Sequence, residues 1–180
     1  MSKNNFVIEN LDAFYCILKQ EVEKFGARIL DAEEIRKENE NFSEIELDSV
    51  KRNFLVDFGE SGFQLPDFDR VIYDAKNYEV IAVIFSSENL AWGIAESAYW
   101  KMKYDAVRLT KHIKVCFVAS GKDNTLDDED KLTAIWKFKR ELDGCYTLHE
   151  NSEYKFEISS LNVLLDHMKI WIKNNSKVKR

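Results

Sequence analysis

The stretch that decides the fold is VIYDAKNYEVIAVIF, residues 71–85. Two runs of β-branched and aromatic residues, 71–73 and 80–85, are separated by polar turn residues, which predicts a β-hairpin. The second run contains no polar residue, so both of its faces are expected to be buried. The sequence therefore predicts a strand in the interior of a sheet rather than an edge strand that faces water.

Helical and strand-like patterns flank this hairpin on both sides. Apolar residues recur at helical spacing over residues 11–25, with Gly26 as a stop, and the acidic stretch 32–47 predicts a second helix. After the hairpin we expect a helix over 90–104, a strand over 113–119, a helix over 127–139, a short strand over 145–148 and a closing helix over 161–171. With no repeat or linker, residues 1–180 are expected to form a single α/β domain, a mixed central sheet flanked by helices.

Composition and charge narrow the classes of function. The longest apolar run is strand-sized, far below the roughly 18 residues of a membrane span, and the three cysteines lack C-x-x-C spacing. These features favour a cytoplasmic protein with no membrane association and no disulfide framework. The net charge of −6 argues against non-specific nucleic-acid binding, yet residues 101–114 carry a basic stripe. Its members are Lys101, Lys103, Arg108, Lys111 and Lys114. A basic stripe suits a DNA-facing surface and equally a solvated helix face.

Polar residues stand where a catalytic site could form at one end of the hairpin. Asp67 follows Pro66 just before the first strand, and Ser86 and Ser87 follow the second. A metal-dependent nuclease needs acids on two neighbouring elements to hold Mg²⁺ beside a phosphate, with a lysine to position the attacking water. The alternative is that Pro66 and Asp67 only form a turn, because both residue types favour turns.

Residues 65–123 resemble the PD-(D/E)XK nuclease core of type II restriction endonucleases. The matching features are Pro66-Asp67, the hairpin, the triplet Phe85-Ser86-Ser87, the helical run Ala98-Tyr99-Trp100-Lys101 and the strand from His112 to Val118. In that family the first aspartate binds the metal, the triplet supplies a second acid and a lysine, and some branches take an acid from the following helix. The resemblance makes Asp67 the first acid, but Phe85 and Ser87 occupy the positions of the second acid and the lysine.

Two explanations of the altered triplet stay open. In the first, the helix rebuilds the site, so that Asp67, Glu96 and Lys101 are catalytic and Asp67 and Glu96 bind Mg²⁺, with Lys103 as a further candidate. Glu96 and Lys101 are then expected to point toward the Asp67 end of the sheet, although about 500° of helical rotation separates them. In the second, the chain is a degenerate copy that binds without cutting.

The resemblance implies a sequence-specific, Mg²⁺-dependent endonuclease of a restriction-modification system. Its partner would be double-stranded DNA, contacted by Lys101, Lys103, Arg108 and Lys111. A palindromic target would imply a homodimer. The alternative, favoured by Ser87, is an inactive DNA-binding or protein-interaction subunit on the same fold; an unrelated α/β protein is a third. If Lys101 and Lys103 are exposed, replacing them should hardly change stability.

Overall fold

The computed structural model describes residues 10–36, 43–119, 137–147 and 159–177. The helices in this part of the chain are α1 (Leu11–Glu23), α2 (Ala32–Arg36), α3 (Glu44–Phe54), α4 (Leu90–Asp105) and α5 (Leu161–Lys177), with a 3₁₀ turn at Gly59–Ser61. The strands are β1 (Ala27–Asp31), β2 (Val56–Asp57), β3 (Phe63–Gln64), β4 (Arg70–Asp74), β5 (Val80–Ser87), β6 (Lys114–Ala119), β7 (Gly144–Thr147) and β8 (Ser159–Ser160).

Six of the described strands form one mixed sheet in the order β1-β4-β5-β6-β7-β8. The pairs β1-β4 and β4-β5 are antiparallel, and the pairs from β5 to β8 are parallel. Strands β2 and β3 form a separate small hairpin. This architecture confirms the expected α/β fold with a mixed central sheet flanked by helices.

Strand β5 lies in the interior of the sheet, as its apolar run predicts. Residues 80–85 are buried throughout, and only Ser86 and Ser87 at the end of the strand are partly exposed. One face of β5 packs with α3 and α4, and the opposite face packs with α1 and α5. Because burying apolar surface on both faces stabilises the sheet by roughly 25 cal/mol per Å², this strand is the centre of the fold.

The chain between β1 and β2 differs from the single helix expected over residues 32–47. Helix α2 ends at Arg36, and α3 begins at Glu44 after Ser43, whose hydroxyl accepts a hydrogen bond from the Glu46 amide at 3.2 Å. Ser43 is thus an N-cap that starts a new helix, so the expectation of one helix was wrong. Residues 127–136 of the helix expected over 127–139, and Leu148, lie outside the described residues.

The structure adds two observations on solvent exposure and chemistry. None of the helices in the described ranges is long and apolar enough to cross a membrane. All three cysteines are free thiols, with Cys16 exposed and Cys116 and Cys145 buried.

Candidate active site

Three carboxyl groups from two parts of the chain lie within electrostatic range of one another near the end of β5. Asp67 and Asp69 lie just before β4, and Glu96 lies about two turns into α4. Burial raises the pKa of Glu96, and the negative charges of Asp67 and Asp69 raise it further. Glu96 therefore lies within electrostatic range of Asp67 and also of Asp69, which the sequence analysis did not place in the site.

The segment that carries the two aspartates is anchored by the residue between them. Phe68 is buried, and its ring packs edge-on against Phe54 of α3 with the centroids 5.3 Å apart. The Asp69 amide donates to the Ile84 carbonyl at 3.0 Å, which ties the segment to β5. Side chains alternate in direction along an extended segment, so Asp67 and Asp69 both project away from the direction of Phe68. The acid–apolar–acid pattern is the signal that could have identified Asp69.

Asp69 is the inner carboxylate of the cluster. Its Oδ2 accepts a hydrogen bond from the Ser86 amide at the end of β5. Burial raises the pKa of Asp69, although the bond from Ser86 acts in the opposite direction. The buried Tyr15 lies nearby, and the Arg70 guanidinium is 4.4 Å from the centroid of its ring. Asp69 is thus fixed to the sheet end rather than free in solvent.

Asp67 is the outer carboxylate and is exposed. Its Oδ1 accepts a hydrogen bond from Nη2 of Arg36 at 2.5 Å. Arg36 is the last residue of α2, a helix whose start is held by reciprocal hydrogen bonds between Asp31 and Glu34 at 2.7 and 2.8 Å. The structure therefore places at the acidic cluster a basic residue that the sequence analysis did not consider.

Helix α4 packs unusually close to the sheet at its first turn. A Cβ atom on Gly93 would lie 2.2 Å from Cε2 of Phe117 and 2.8 Å from Cβ of Ser87, so only glycine fits. The Ser87 hydroxyl accepts a hydrogen bond from the Asn89 amide at 3.0 Å, and Asn89 in turn is the N-cap of α4. The position that carries lysine in the resembled family is therefore occupied by a side chain that packs against the start of this helix.

Lys101 does not lie at this end of the sheet. Its Nζ is 2.9 Å from Asp105, 3.1 Å from Asp143 and 3.2 Å from the Ile113 carbonyl. Ile113 directly precedes β6, which runs parallel to β5, so Lys101 lies at the opposite end of these strands from Ser87. Five helical residues carry Lys101 about 7.5 Å along α4 from Glu96. The expectation that Lys101 points to Asp67 is corrected, and its geometry gives no support to a catalytic role.

The environment of Lys101 also corrects the premise that it is an exposed lysine. The residue is buried, with 7% of its surface exposed. Burial alone would lower the pKa of Lys101, but the hydrogen bond to Asp105 and the charge of Asp143 outweigh it and raise the pKa. Removal of this ammonium would take one cationic partner away from the largely buried carboxylate of Asp143, so its replacement is not expected to be neutral.

The other residues of the basic stripe differ in their partners and in their exposure. Lys114 is 2.7 Å from Asp143, so this carboxylate neutralises part of the stripe. The Lys103 ammonium lies 4.8 Å from the ring centroid of Phe58 and 5.4 Å from that of Tyr99. Arg108 and Lys111 are exposed. Lys103, Arg108 and Lys111 therefore remain candidates for contact with DNA.

The donor atoms at the cluster fit a magnesium ion that a substrate helps to bind. Among the described residues, no three His, Cys, Asp or Glu side chains are close enough together to hold a metal ion as a group. Mg²⁺ in phosphate-processing sites is usually held by one or two carboxylates and completed by water and phosphate oxygens. Asp67 and Glu96 could supply those two carboxylates, and a cation would relieve the repulsion that raises the Glu96 pKa.

Comparison with known proteins gives one family and two relatives. The family model described as BsaWI restriction endonuclease type 2 matches residues 46–169. A Methanocaldococcus jannaschii protein with the provisional name type II restriction enzyme MjaVIP is 33% identical over 150 residues, which are 79% of this chain and 64% of that protein. A Helicobacter pylori protein with the provisional name type II restriction enzyme HpyAORF263P is 31% identical over 125 residues, 69% of this chain and 60% of that protein. The chain thus spans less than two thirds of the length of either relative. No solved structure matches.

Proposed function

Because this chain belongs to the family of BsaWI type 2 restriction endonucleases, we propose that it hydrolyses phosphodiester bonds in double-stranded DNA with Mg²⁺. The reaction is assigned to the end of the sheet that carries Asp67, Asp69 and Glu96. The observation that carries the proposal is the geometry of this sheet end, where Asp69 accepts a hydrogen bond from the Ser86 amide and the exposed Asp67 contacts Arg36. Glu96 on α4 lies within electrostatic range of both aspartates. Carboxyl groups held close together against their own repulsion are typical of functional sites.

Each acid has a distinct part in this proposal. Asp67 is exposed and accessible to substrate, and Glu96 of α4 lies within electrostatic range of it, so these two would bind the ion. When bound, Mg²⁺ supplies positive charge to the phosphate and makes its water more acidic. Asp69 is tied to the Ser86 amide, and it holds the segment that carries Asp67 against the end of β5.

The wider biological proposal rests on the family. We propose sequence-specific cutting within a restriction-modification system, by a homodimer whose two-fold axis matches a palindromic site. We place this activity in the cytoplasm, and three free thiols suit its reducing conditions. The alternative, an inactive DNA-binding or protein-interaction subunit, is favoured by Ser87 at the family's lysine position.

Cleavage of supercoiled plasmid tests the proposal directly. Wild-type chain is incubated with Mg²⁺ and a mixture of unmodified plasmids, and the products are separated into nicked and linear forms. We expect Asp67→Asn to reduce cutting by about 100-fold or more, as for loss of one electrostatic group at a reacting centre. Asp48→Asn is the matched control, because Asp48 is an exposed acid on α3 that pairs with Arg52 at 3.8 Å. Cutting that persists unchanged in Asp67→Asn would reject the assigned site.

A second variant separates an active enzyme from an inactive subunit. Ser87→Lys restores the basic residue that the resembled family has at this position. If wild-type chain binds duplex without cutting it and Ser87→Lys cuts, the chain is the degenerate copy. If wild-type chain cuts, the inactive alternative is rejected.

A further inference from the structure

Arg36 stands beside the carboxyl cluster and lies outside the part of the chain that the family model matches, residues 46–169. Its Nη2 is 2.5 Å from Asp67 Oδ1, and its side chain keeps 55% of its surface exposed. The guanidinium therefore contacts the outer acid of the proposed site while most of its donors face solvent.

The backbone of Arg36 is held in place by contacts to the same segment that carries the acids. The Ala32 amide, at the start of α2, donates to the Asp69 carbonyl at 3.1 Å. Ile35, the neighbour of Arg36, is fully buried in the core that contains α3 and α4. With the reciprocal bonds between Asp31 and Glu34, these contacts fix α2 against the sheet end. The helix is therefore positioned while the guanidinium can turn between nearby anions.

Two other basic side chains in the described ranges, one distant from the acids and one beside Asp69, have partners of their own. Lys101 is held by Asp105 and Asp143 at the far end of the strands. Arg70 donates from Nη1 to the Asp69 carbonyl at 2.8 Å and stacks over Tyr15. Among the basic residues that the described ranges place beside the acids, Arg36 is the one with an exposed guanidinium in contact with Asp67.

We propose that Arg36 binds the phosphate that is cut and supplies the positive charge that a lysine at position 87 would otherwise supply. This inference rests on the proposed function. A guanidinium presents parallel N–H donors that match two non-bridging phosphate oxygens, and it is more weakly hydrated than an ammonium. Without DNA, Arg36 rests on Asp67; when a phosphate arrives, the guanidinium exchanges one anion for another, and Asp67 becomes available to Mg²⁺.

The chemical step balances without a further reactant. A water oxygen forms a bond to phosphorus, and the bond from phosphorus to one bridging sugar oxygen breaks. That oxygen leaves with one proton as a hydroxyl group, and the other proton of the water is released from the new phosphate monoester. Arg36 takes no proton from the water, because a guanidinium stays protonated in proteins. Its contribution is electrostatic, through donors placed where negative charge collects on the phosphate oxygens.

The test compares Arg36→Ala with Arg52→Ala, which removes an exposed arginine of α3 that pairs with Asp48. We expect Arg36→Ala to cut about 100-fold more slowly, with Arg52→Ala unchanged. Addition of guanidinium ion below denaturing concentrations should restore part of the lost activity in Arg36→Ala alone. Arg36→Lys should keep more activity than Arg36→Ala, because it keeps the charge but loses the paired donors.

Duplex binding gives a readout that does not need cutting. Binding is measured with Ca²⁺ in place of Mg²⁺. The slope of log affinity against log salt should flatten by about 0.9 in Arg36→Ala, because one phosphate contact is lost, and it should stay unchanged in Arg52→Ala. Thermal unfolding of both variants checks that each is folded.

The outcomes separate this inference from the proposed function. If Arg36→Ala keeps the affinity, the salt slope and the cutting rate of the wild type, the proposed role of Arg36 is overturned and the proposed nuclease function is not affected. The role would also be overturned if Arg36→Ala cut at the wild-type rate but needed less Mg²⁺. The guanidinium of Arg36 would then only compete with the metal ion for Asp67. A wild-type chain that neither cuts nor binds duplex would reject the proposed function, and the role of Arg36 with it. If wild-type chain binds without cutting, loss of affinity in Arg36→Ala still supports a phosphate contact.

Discussion

Glu96 is a residue whose surroundings oppose its own charge. Burial is the largest cause of its raised pKa, followed by the charges of Asp67 and Asp69. The folded state therefore binds the proton more tightly than the unfolded chain, whose carboxyl titrates at about 4.3. Stability is highest when Glu96 is protonated and falls as the pH rises from that value through the higher folded pKa. At neutral pH the cluster destabilises the fold, as expected of residues present for function.

Replacing this carboxyl by its neutral amide should stabilise the protein. We expect Glu96→Gln to raise the midpoint of thermal unfolding by about 1–2 °C at pH 7, because it removes a charge that its neighbours repel. Near pH 3, below the value of about 4.3 for the unfolded chain, the difference should shrink toward zero because the carboxyl of Glu96 is then mostly protonated in both states. Thermal scans at both pH values measure this, with the exposed Glu60→Gln as control. A lower midpoint for Glu96→Gln at pH 7 would contradict the repulsive cluster.

Helix α4 connects the two ends of the sheet and is held differently at each. Its first turns approach β5 and β6 through Gly93, and its last turns are fixed by the pairing of Lys101 with Asp105 and Asp143. The distance between α4 and the sheet determines where Glu96 stands relative to Asp67. Both contacts are therefore expected to affect the site through the position of the helix.

The close approach at Gly93 predicts that adding one methyl group is destabilising. Alanine is the better helix former by about 1 kcal/mol, yet its Cβ would overlap the ring of Phe117. We expect Gly93→Ala to cost about 2 kcal/mol, measured by urea unfolding. The cost should be smaller when Phe117→Leu is already present, because the overlapping ring is gone. An equal cost in both backgrounds would show that the contact is not the cause.

The ion pairs of Lys101 predict that replacing this residue lowers the stability of the fold but does not specifically lower the rate of cutting. Lys101→Met leaves the carboxylate of Asp143 with Lys114 and the Val115 amide as its remaining partners. We expect unfolding to be easier by about 2–4 kcal/mol, as for a broken buried pair. Cutting per folded molecule should stay within about threefold of wild type, and Lys19→Met, at an exposed position of α1, is the control. Loss of cutting at unchanged stability would instead return Lys101 to the catalytic site.

The sequence predicts those elements whose signals are local. Strand β5 is predicted by its uninterrupted apolar run, and α4 is predicted by the spacing of its apolar residues. Both signals lie in residues that are close together in the sequence. The contact of Arg36 with Asp67 joins residues 31 positions apart and depends on where α2 ends, which the acidic stretch 32–47 does not reveal. Helical spacing predicts the rotation between Glu96 and Lys101. It does not predict the ion pair of Lys101 with Asp143, because Asp143 lies far along the chain.

At the scale of the whole molecule, the exposed basic residues Arg108 and Lys111 lie beyond the end of α4, away from the acidic site. The helix ends nine residues after Glu96, about 13.5 Å along its axis. Double-stranded DNA rises about 3.4 Å per base pair, so this distance corresponds to about four base pairs. A duplex that crosses the site and follows α4 would reach Arg108 and Lys111 only with its outer phosphates.

Duplex length therefore tests the proposed DNA contacts of the stripe. For a 20-base-pair duplex, on the order of two helical turns, Arg108→Ala with Lys111→Ala should flatten the salt slope by about 1.8 units, at about 0.9 per contact. For a duplex of about six base pairs the slope should not change, because the outer phosphates are missing. Titrations with Ca²⁺ at several salt concentrations measure both slopes. No change with either duplex would assign the stripe to solvent rather than to DNA.

The separation of the carboxyl cluster from the Asp143 ion pairs also bears on how this lineage can diverge. Mutations that remove an acid at the cluster abolish the proposed chemistry but are expected to relieve repulsion, so selection for folding does not oppose them. Mutations at Lys101 or Asp143 are expected to destabilise the fold, so selection for folding opposes them in active and inactive descendants alike. When a host no longer gains from cutting, genes of this kind can therefore drift toward inactive but well-folded copies. Among homologues, Lys101 and Asp143 should then persist where Asp67 and Glu96 have been lost.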